Sequence, residues 1–205
     1  MIIHDPNEIE KRSLEIIESE LCVEIPPENE AVVKRVIHCT ADFDYAVNLA
    51  FSDKAVERAL DALRRGCDIV TDTNMARSGI NKTAAAKLGC EIHCFMSDPD
   101  IAEIAKERGC TRAVASMGNA AELTKPLIFA IGNAPTALLA LRDLIAAGRI
   151  KPELVIGVPV GFVNILESKD AIMASGVPYI VARGRKGGSN VAAAIVNALM
   201  YQLAR

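Results

Sequence analysis

The chain has 205 residues, 51% hydrophobic and 24% charged, with a net charge of −3. That balance excludes a disordered chain and argues against a general nucleic-acid surface. An aromatic content of 4% with no Trp argues against a stacking platform for single strands. No apolar run reaches the length of a membrane span, and residues 1–10 lack the apolar core of a signal peptide, so a cytoplasmic protein is expected.

The first 65 residues read as helices over 7–22, 28–40 and 53–65, with Pro26-Pro27 dividing the first two. From residue 66 onward short apolar runs alternate with helical stretches. Strands are expected at 68–73, 91–95, 112–116, 127–131, 154–158 and 179–182. They are rich in Val and Ile, as buried parallel strands are. Helices are expected between and after them, at 76–87, 99–108, 135–147, 164–174 and 189–203. Pro99 and Pro135 stand near helix starts, and Gly89, Gly109, Gly148 and Gly176 near helix ends. This alternation predicts one α/β domain over 1–205: a doubly wound, mostly parallel sheet over 66–205 with a helical extension over 1–65.

Three glycine-bearing loops follow apolar runs in the last third. They are Gly132-Asn133-Ala134-Pro135-Thr136, Gly157-Val158-Pro159-Val160-Gly161-Phe162 and Arg183-Gly184-Arg185-Lys186-Gly187-Gly188-Ser189. Each precedes a helix, whose first amides favour anions. In doubly wound sheets ligands bind beyond the carboxyl ends of the strands. With Arg183, Arg185 and Lys186 in the last loop, the set predicts a site for a polyanionic small molecule. The plainer alternative is that the glycines only make tight connections and the basic residues are solvated.

Six cysteines occur with no C-x-x-C pair, so reduced, packed thiols are expected and a zinc ribbon is not. On a strand, Cys90 and Cys94 would face away from His93, which argues against a metal set from that trio. There is no G-x-S-x-G, H-E-x-x-H, G-x-G-x-x-G or G-x-x-x-x-G-K-[ST], so no nucleotide or metal cofactor is expected. Of His4, His38 and His93, the second ends a helix before a polar loop, a suitable place for a general acid. The same position also suits an imidazole that only meets the helix dipole. Thr111-Arg112 opens one of the expected strands, and Arg112 could clamp a carboxylate.

Read together, several segments resemble the precorrin-8X (or cobalt-precorrin-8) methylmutase family. They are Ser13 after Lys11-Arg12, Arg35-Val36-Ile37-His38, Met75 with Gly79-Ile80, Thr111-Arg112, Gly132 to Ala137, Gly157 to Val163, Glu167-Ser168-Lys169, and Arg183 to Ser189. The resemblance implies a flavodoxin-like fold and a homodimer with its site near the subunit interface. It implies an isomerase that moves a methyl group from C11 to C12 of a polycarboxylate tetrapyrrole, giving hydrogenobyrinic or cobyrinic acid. His38 maps onto the family's histidine, which protonates the macrocycle. The substrate-binding set implied by the matching segments and by charge is Ser13, Arg35, Met75, Thr111, Arg112, Asn133, Thr136, Gly161, Lys169, Arg183 and Arg185. Departures at Cys39 to Asp44 and Asp72 to Arg77 lean toward the branch in which cobalt is already in the ring. Any cobalt would then arrive with the substrate. A non-catalytic tetrapyrrole carrier and a sugar-phosphate isomerase on the same fold are the competing readings.

Overall fold

The computed structural model describes residues 2–204. Helix α1 (Pro6–Glu20) starts where the Asp5 carboxylate accepts the Glu8 amide at 2.9 Å. It is followed by α2 (Pro27–Thr40), α3 (Tyr45–Asn48), β1 (Leu49–Phe51), α4 (Ala55–Arg64) and β2 (Asp68–Thr71). Next come α5 (Asn74–Gly79), α6 (Lys82–Lys87), β3 (Glu91–His93), a 3-10 turn at Phe95–Ser97, α7 (Ile101–Glu107) and α8 (Arg112–Ala120). The chain ends with β4 (Leu127–Ile131), α9 (Pro135–Ala146), β5 (Leu154–Gly157), α10 (Ile165–Met173), β6 (Tyr179–Ala182) and α11 (Ser189–Met200).

The sheet runs β1-β6-β5-β4-β2-β3, parallel except where β1 pairs antiparallel with β6. Set β1 aside and the five parallel strands follow the flavodoxin-type order, whose direction reverses between β2 and β4. Side chains alternate across the sheet. Ile69, Ile128, Ala130, Ile156 and Ile180 pack into one core with α2, α4 and α11. Val70, Phe129, Ile131, Val155 and Val181 pack into the other with α8 and α9. No helix among the described residues is long and apolar enough to cross a membrane.

The expected architecture stands, with three local corrections. Residues 112–116 are the start of helix α8, not a strand. The Thr111 hydroxyl accepts the Val114 amide at 3.2 Å, and Ala113, Ser116, Met117 and Ala120 bury one face at helical spacing. Thr111 and Arg112 therefore open a helix. The extension is not wholly helical, because Leu49–Phe51 adds the antiparallel edge strand. The helix expected at 76–87 is two helices, capped separately by Thr73 (to the Ala76 amide, 3.1 Å) and Asn81 (to the Ala84 amide, 3.0 Å).

Candidate functional site

The strand order reverses between β2 and β4, and the carboxyl ends there are where such sheets form a ligand crevice. Asp72, directly after β2, is fully buried there. Its carboxylate accepts the amides of Gly132 (2.9 Å), Asn133 (2.8 Å) and Ala134 (2.7 Å) at the start of α9. Burial pushes the Asp72 carboxyl above its ordinary pKa, while the three amides pull the other way. The first anion-binding helix terminus expected from the sequence is thus filled from within the chain. A ligand carboxylate has to be met by side chains around it.

Gly132 and Gly187 serve backbone packing, whereas Gly161 and Gly184 face open space. A Cβ on Gly132 would lie 2.7 Å from the Gly188 carbonyl oxygen, and one on Gly187 would collide with the carbonyls of Val158 and Pro159. The loops after β5 and β6 are laced together. Gly188 donates its amide to Val158 O (2.9 Å) and Gly161 donates to Arg185 O (3.3 Å). The Ser189 and Thr73 hydroxyls meet at 2.8 Å, joining the β6 loop to the cap of α5.

Lys169 is the anchor of the basic loop and is not open to a ligand. Its side chain is buried in α10, and its ammonium donates to the carbonyls of Gly184 (2.8 Å) and Lys186 (3.0 Å). With no carboxylate paired to it among the described residues, burial lowers its pKa to about 8. Lys186 bridges outward to Asp42 and Asp44, each at 2.6 Å, in the loop that follows His38. That leaves Arg183 and Arg185 as the loop's exposed cations without a carboxylate partner among the described residues. The Arg185 guanidinium lies 5.4 Å from the ring centroid of Phe162.

The other predicted residues of this region cluster around the crevice. Thr111 and Thr136 share a hydrogen bond at 3.1 Å, which ties the starts of α8 and α9. Arg112 and Asn133 are exposed beside them. Met75 projects from α5 with 73% of its surface open, and Phe162 and Val163 are 80% and 76% exposed. So much bare apolar surface next to unpaired guanidiniums suits a large ligand with an apolar face and an anionic rim.

His38 lies in a second region. It is exposed on the last turn of α2, with no hydrogen-bond partner among the described residues. It lines an open pocket of about 450 Å³ with Pro6, Ile9, Glu10, Arg35, Asn81 and Tyr201. It also lines a smaller pocket of about 220 Å³ that includes Ser13 and Phe43. Arg35 is held by Glu10 at 2.5 Å and lies 5.4 Å from the ring centroid of Tyr201. A substrate carboxylate would therefore compete with Glu10 for it. Ser13 donates its hydroxyl proton to Ile9 O at 2.7 Å, leaving its lone pairs to accept. Asn81 links the pocket wall, donating from its side chain to the Tyr201 hydroxyl at 3.1 Å.

His38, Arg35 and Ser13 thus come together, and so do Thr111, Thr136, Asn133 and the basic loop. Neither pocket beside His38 contains any member of the second group. Sequence reasoning missed Asp72, Glu10, Asn81 and Tyr201. An acidic residue directly after a buried strand was a signal for Asp72, but its partners depend on a strand order that no local pattern shows.

Known proteins agree with this architecture. The family model for precorrin-8X methylmutase matches residues 8–202. A cobalt-precorrin-8 methylmutase of Salmonella typhimurium is 48% identical, over 98% of this chain and 97% of its own. A precorrin-8X methylmutase of Pseudomonas aeruginosa is 37% identical over 96% of both. The crystal structure of a precorrin-8X methylmutase from Thermus thermophilus superposes with a TM-score of 0.86 and 40% identity, over 94% of this chain and 96% of that one. The chain therefore belongs to the precorrin-8X methylmutase family of enzymes.

Proposed function

We propose that the chain moves the C11 methyl group of cobalt-precorrin-8 to C12, giving cobyrinic acid, with His38 as the proton donor. The observation that carries this is the state of His38. It is the imidazole lining a pocket, it is open to solvent, and no partner among the described residues occupies its nitrogens. An imidazole so placed can give a proton to a macrocycle laid across the pocket and take it back after the shift. Methyl migration within one molecule needs no second substrate, so the protein's remaining work is binding and orientation. Relatives named for the cobalt form range from 38% to 48% identity, against 37% and 38% for two named precorrin-8X methylmutase, a lean toward the cobalt substrate.

The macrocycle's carboxylates suit Arg183, Arg185 and Arg112, while its apolar face suits Met75, Phe162 and Val163. A pocket of about 450 Å³ is small for such a ring. The pockets beside His38 hold no residue of the basic-loop group, although Lys186 of that loop reaches Asp42 and Asp44 just after His38. The pocket's size supports a homodimer in which the site is completed near the subunit interface. The test is anaerobic absorbance of substrate with wild type and His38→Ala. The expected result is a spectrum that binding perturbs in both proteins and that turns into the product chromophore only in wild type. Turnover by the variant would remove His38 from the mechanism. Binding without turnover in wild type would make the protein a tetrapyrrole carrier.

A further inference from the structure

Away from the crevice, at the opposite end of β2, the sheet edge gathers a second set of ligating side chains. The β2–β3 register pairs Asp68 with Glu91 and Val70 with His93. Residues paired across parallel strands share a face, as do residues two apart on one strand. Asp68, Glu91 and His93 therefore project to the same side. One donor atom from each lies within 4.8 Å of the others.

Two of these atoms are left unsatisfied. Asp68 is only 4% exposed. Its Oδ1 is buried without a hydrogen bond, and so is His93 Nε2. They face one another at 3.5 Å. A buried carboxylate oxygen and imidazole nitrogen without hydrogen bonds are costly, and only charged contacts of 3.4 and 3.5 Å offset that here. Two ligands on a tetrahedral ion, each bonded at about 2.0–2.1 Å, stand about 3.3 Å apart. The ring of His93 is held in place by stacking on Phe95, at 5.8 Å between centroids and 6° between planes.

The charge now facing this pair is Lys125. Its ammonium is 2.6 Å from Glu91 and 3.4 Å from Asp68 Oδ1. The backbone bond from the Asp68 amide to Pro126 O, 2.8 Å, fixes the segment that carries it. Lys125 is partly exposed on a flexible stem, so it can swing outward. We infer that Asp68, Glu91 and His93 form a binding site for a borderline divalent cation such as Zn²⁺, clamping β2 to the edge strand β3, with Lys125 as its competitor. Two carboxylates and one imidazole are a donor set that such ions accept, with water completing the shell. The role is structural, since the site lies at the end of β2 remote from the crevice.

The test is Zn²⁺ titration by calorimetry, with thermal unfolding in excess Zn²⁺ as a second readout. At roughly a hundredfold excess over Kd, the wild-type Tm should rise about 5–10 °C. His93→Ala keeps every cysteine, so loss of binding there isolates this site from the thiols. If that variant does not fold, Glu91→Gln, on an exposed side chain, should weaken Zn²⁺ by roughly tenfold or more. Lys125→Ala should bind roughly tenfold more tightly, because it removes the ammonium that shares the site. Unaltered binding in the folded ligand variant would overturn the proposal. So would equal affinity in wild type and Lys125→Ala, or no binding in either, in which case Asp68 and His93 form a plain ion pair.

Discussion

Replacing Lys169 by Met separates what a buried ammonium costs the fold from what it does for the site. Met keeps nearly the same length and removes the charge. In the folded chain the Lys169 pKa lies at about 8, against an ordinary value of 10.5. At 1.36 kcal/mol per unit, burial costs the native state up to ~3 kcal/mol at neutral pH. Met relieves that cost but orphans the carbonyls of Gly184 and Lys186. Each orphan costs about 1–3 kcal/mol. The two effects oppose each other, so the net change in urea unfolding at neutral pH is expected between about 1 kcal/mol of gain and about 3 kcal/mol of loss. The pH dependence is more telling. Below about pH 8 the lysine is charged in both states and the penalty is present in full. Between about 8 and 10.5 the unfolded chain holds a proton that the folded chain has shed, so wild-type stability rises with pH relative to the Met variant. Functionally, the loop that carries Arg183 and Arg185 loses its anchor. KM should rise by roughly tenfold while kcat changes little. A flat wild-type-minus-variant stability difference across that window would refute the buried-charge argument. An unchanged KM would refute the anchoring role.

Two other substitutions probe the crevice. Asp72→Ala leaves the three amides of Gly132, Asn133 and Ala134 without their acceptor. Thermal unfolding should show a loss of about 3 kcal/mol or more, and a change under 1 kcal/mol would mean that water replaces the carboxylate. Gly132→Ala puts a methyl group 2.7 Å from backbone atoms of Gly188 and Ser189, which a rotamer change cannot relieve. Denaturant unfolding should show about 1–3 kcal/mol of destabilisation, and a wild-type midpoint would mean that the β6 loop yields freely.

The fold was legible wherever a strand was long and apolar and its helix carried a proline or glycine signal. β4 and α9 emerge as expected, because five consecutive apolar residues precede a loop and Pro135. The strand expected at 112–116 failed because Ala-Val-Ala-Ser read as a buried strand, when its burial repeats at helical spacing through Met117 and Ala120. Thr111 as the N-cap was the signal that would have corrected it. β1 was illegible for the opposite reason. Three residues carry no period, and Leu49–Phe51 is a strand only because β6 offers an open edge.

The site divides along the same line. Residue types with one dominant chemistry, the exposed Arg183 and Arg185 and the unpartnered His38, lie on the surface where a ligand can reach them. Residues whose role depends on what folds over them were read less well. Lys169 looks like a ligand cation in the sequence, yet its burial beneath Gly184 and Lys186 turns its charge inward. Gly132 and Gly187, which suggested close approach to a ligand, are consumed by close approach of one loop to another. The anion that the α9 amides hold is Asp72, 60 residues upstream of Gly132. All three roles depend on which strands become neighbours: β2 and β4 for Asp72, β5 and β6 for Lys169 and Gly187, an order set by packing across the whole sheet. A basic loop held by a buried lysine and by backbone-to-backbone glycine contacts can keep two guanidiniums oriented before any substrate arrives. Such preorganisation lowers the ordering cost of binding a macrocycle, which is a use for a buried charge that stability alone would not favour.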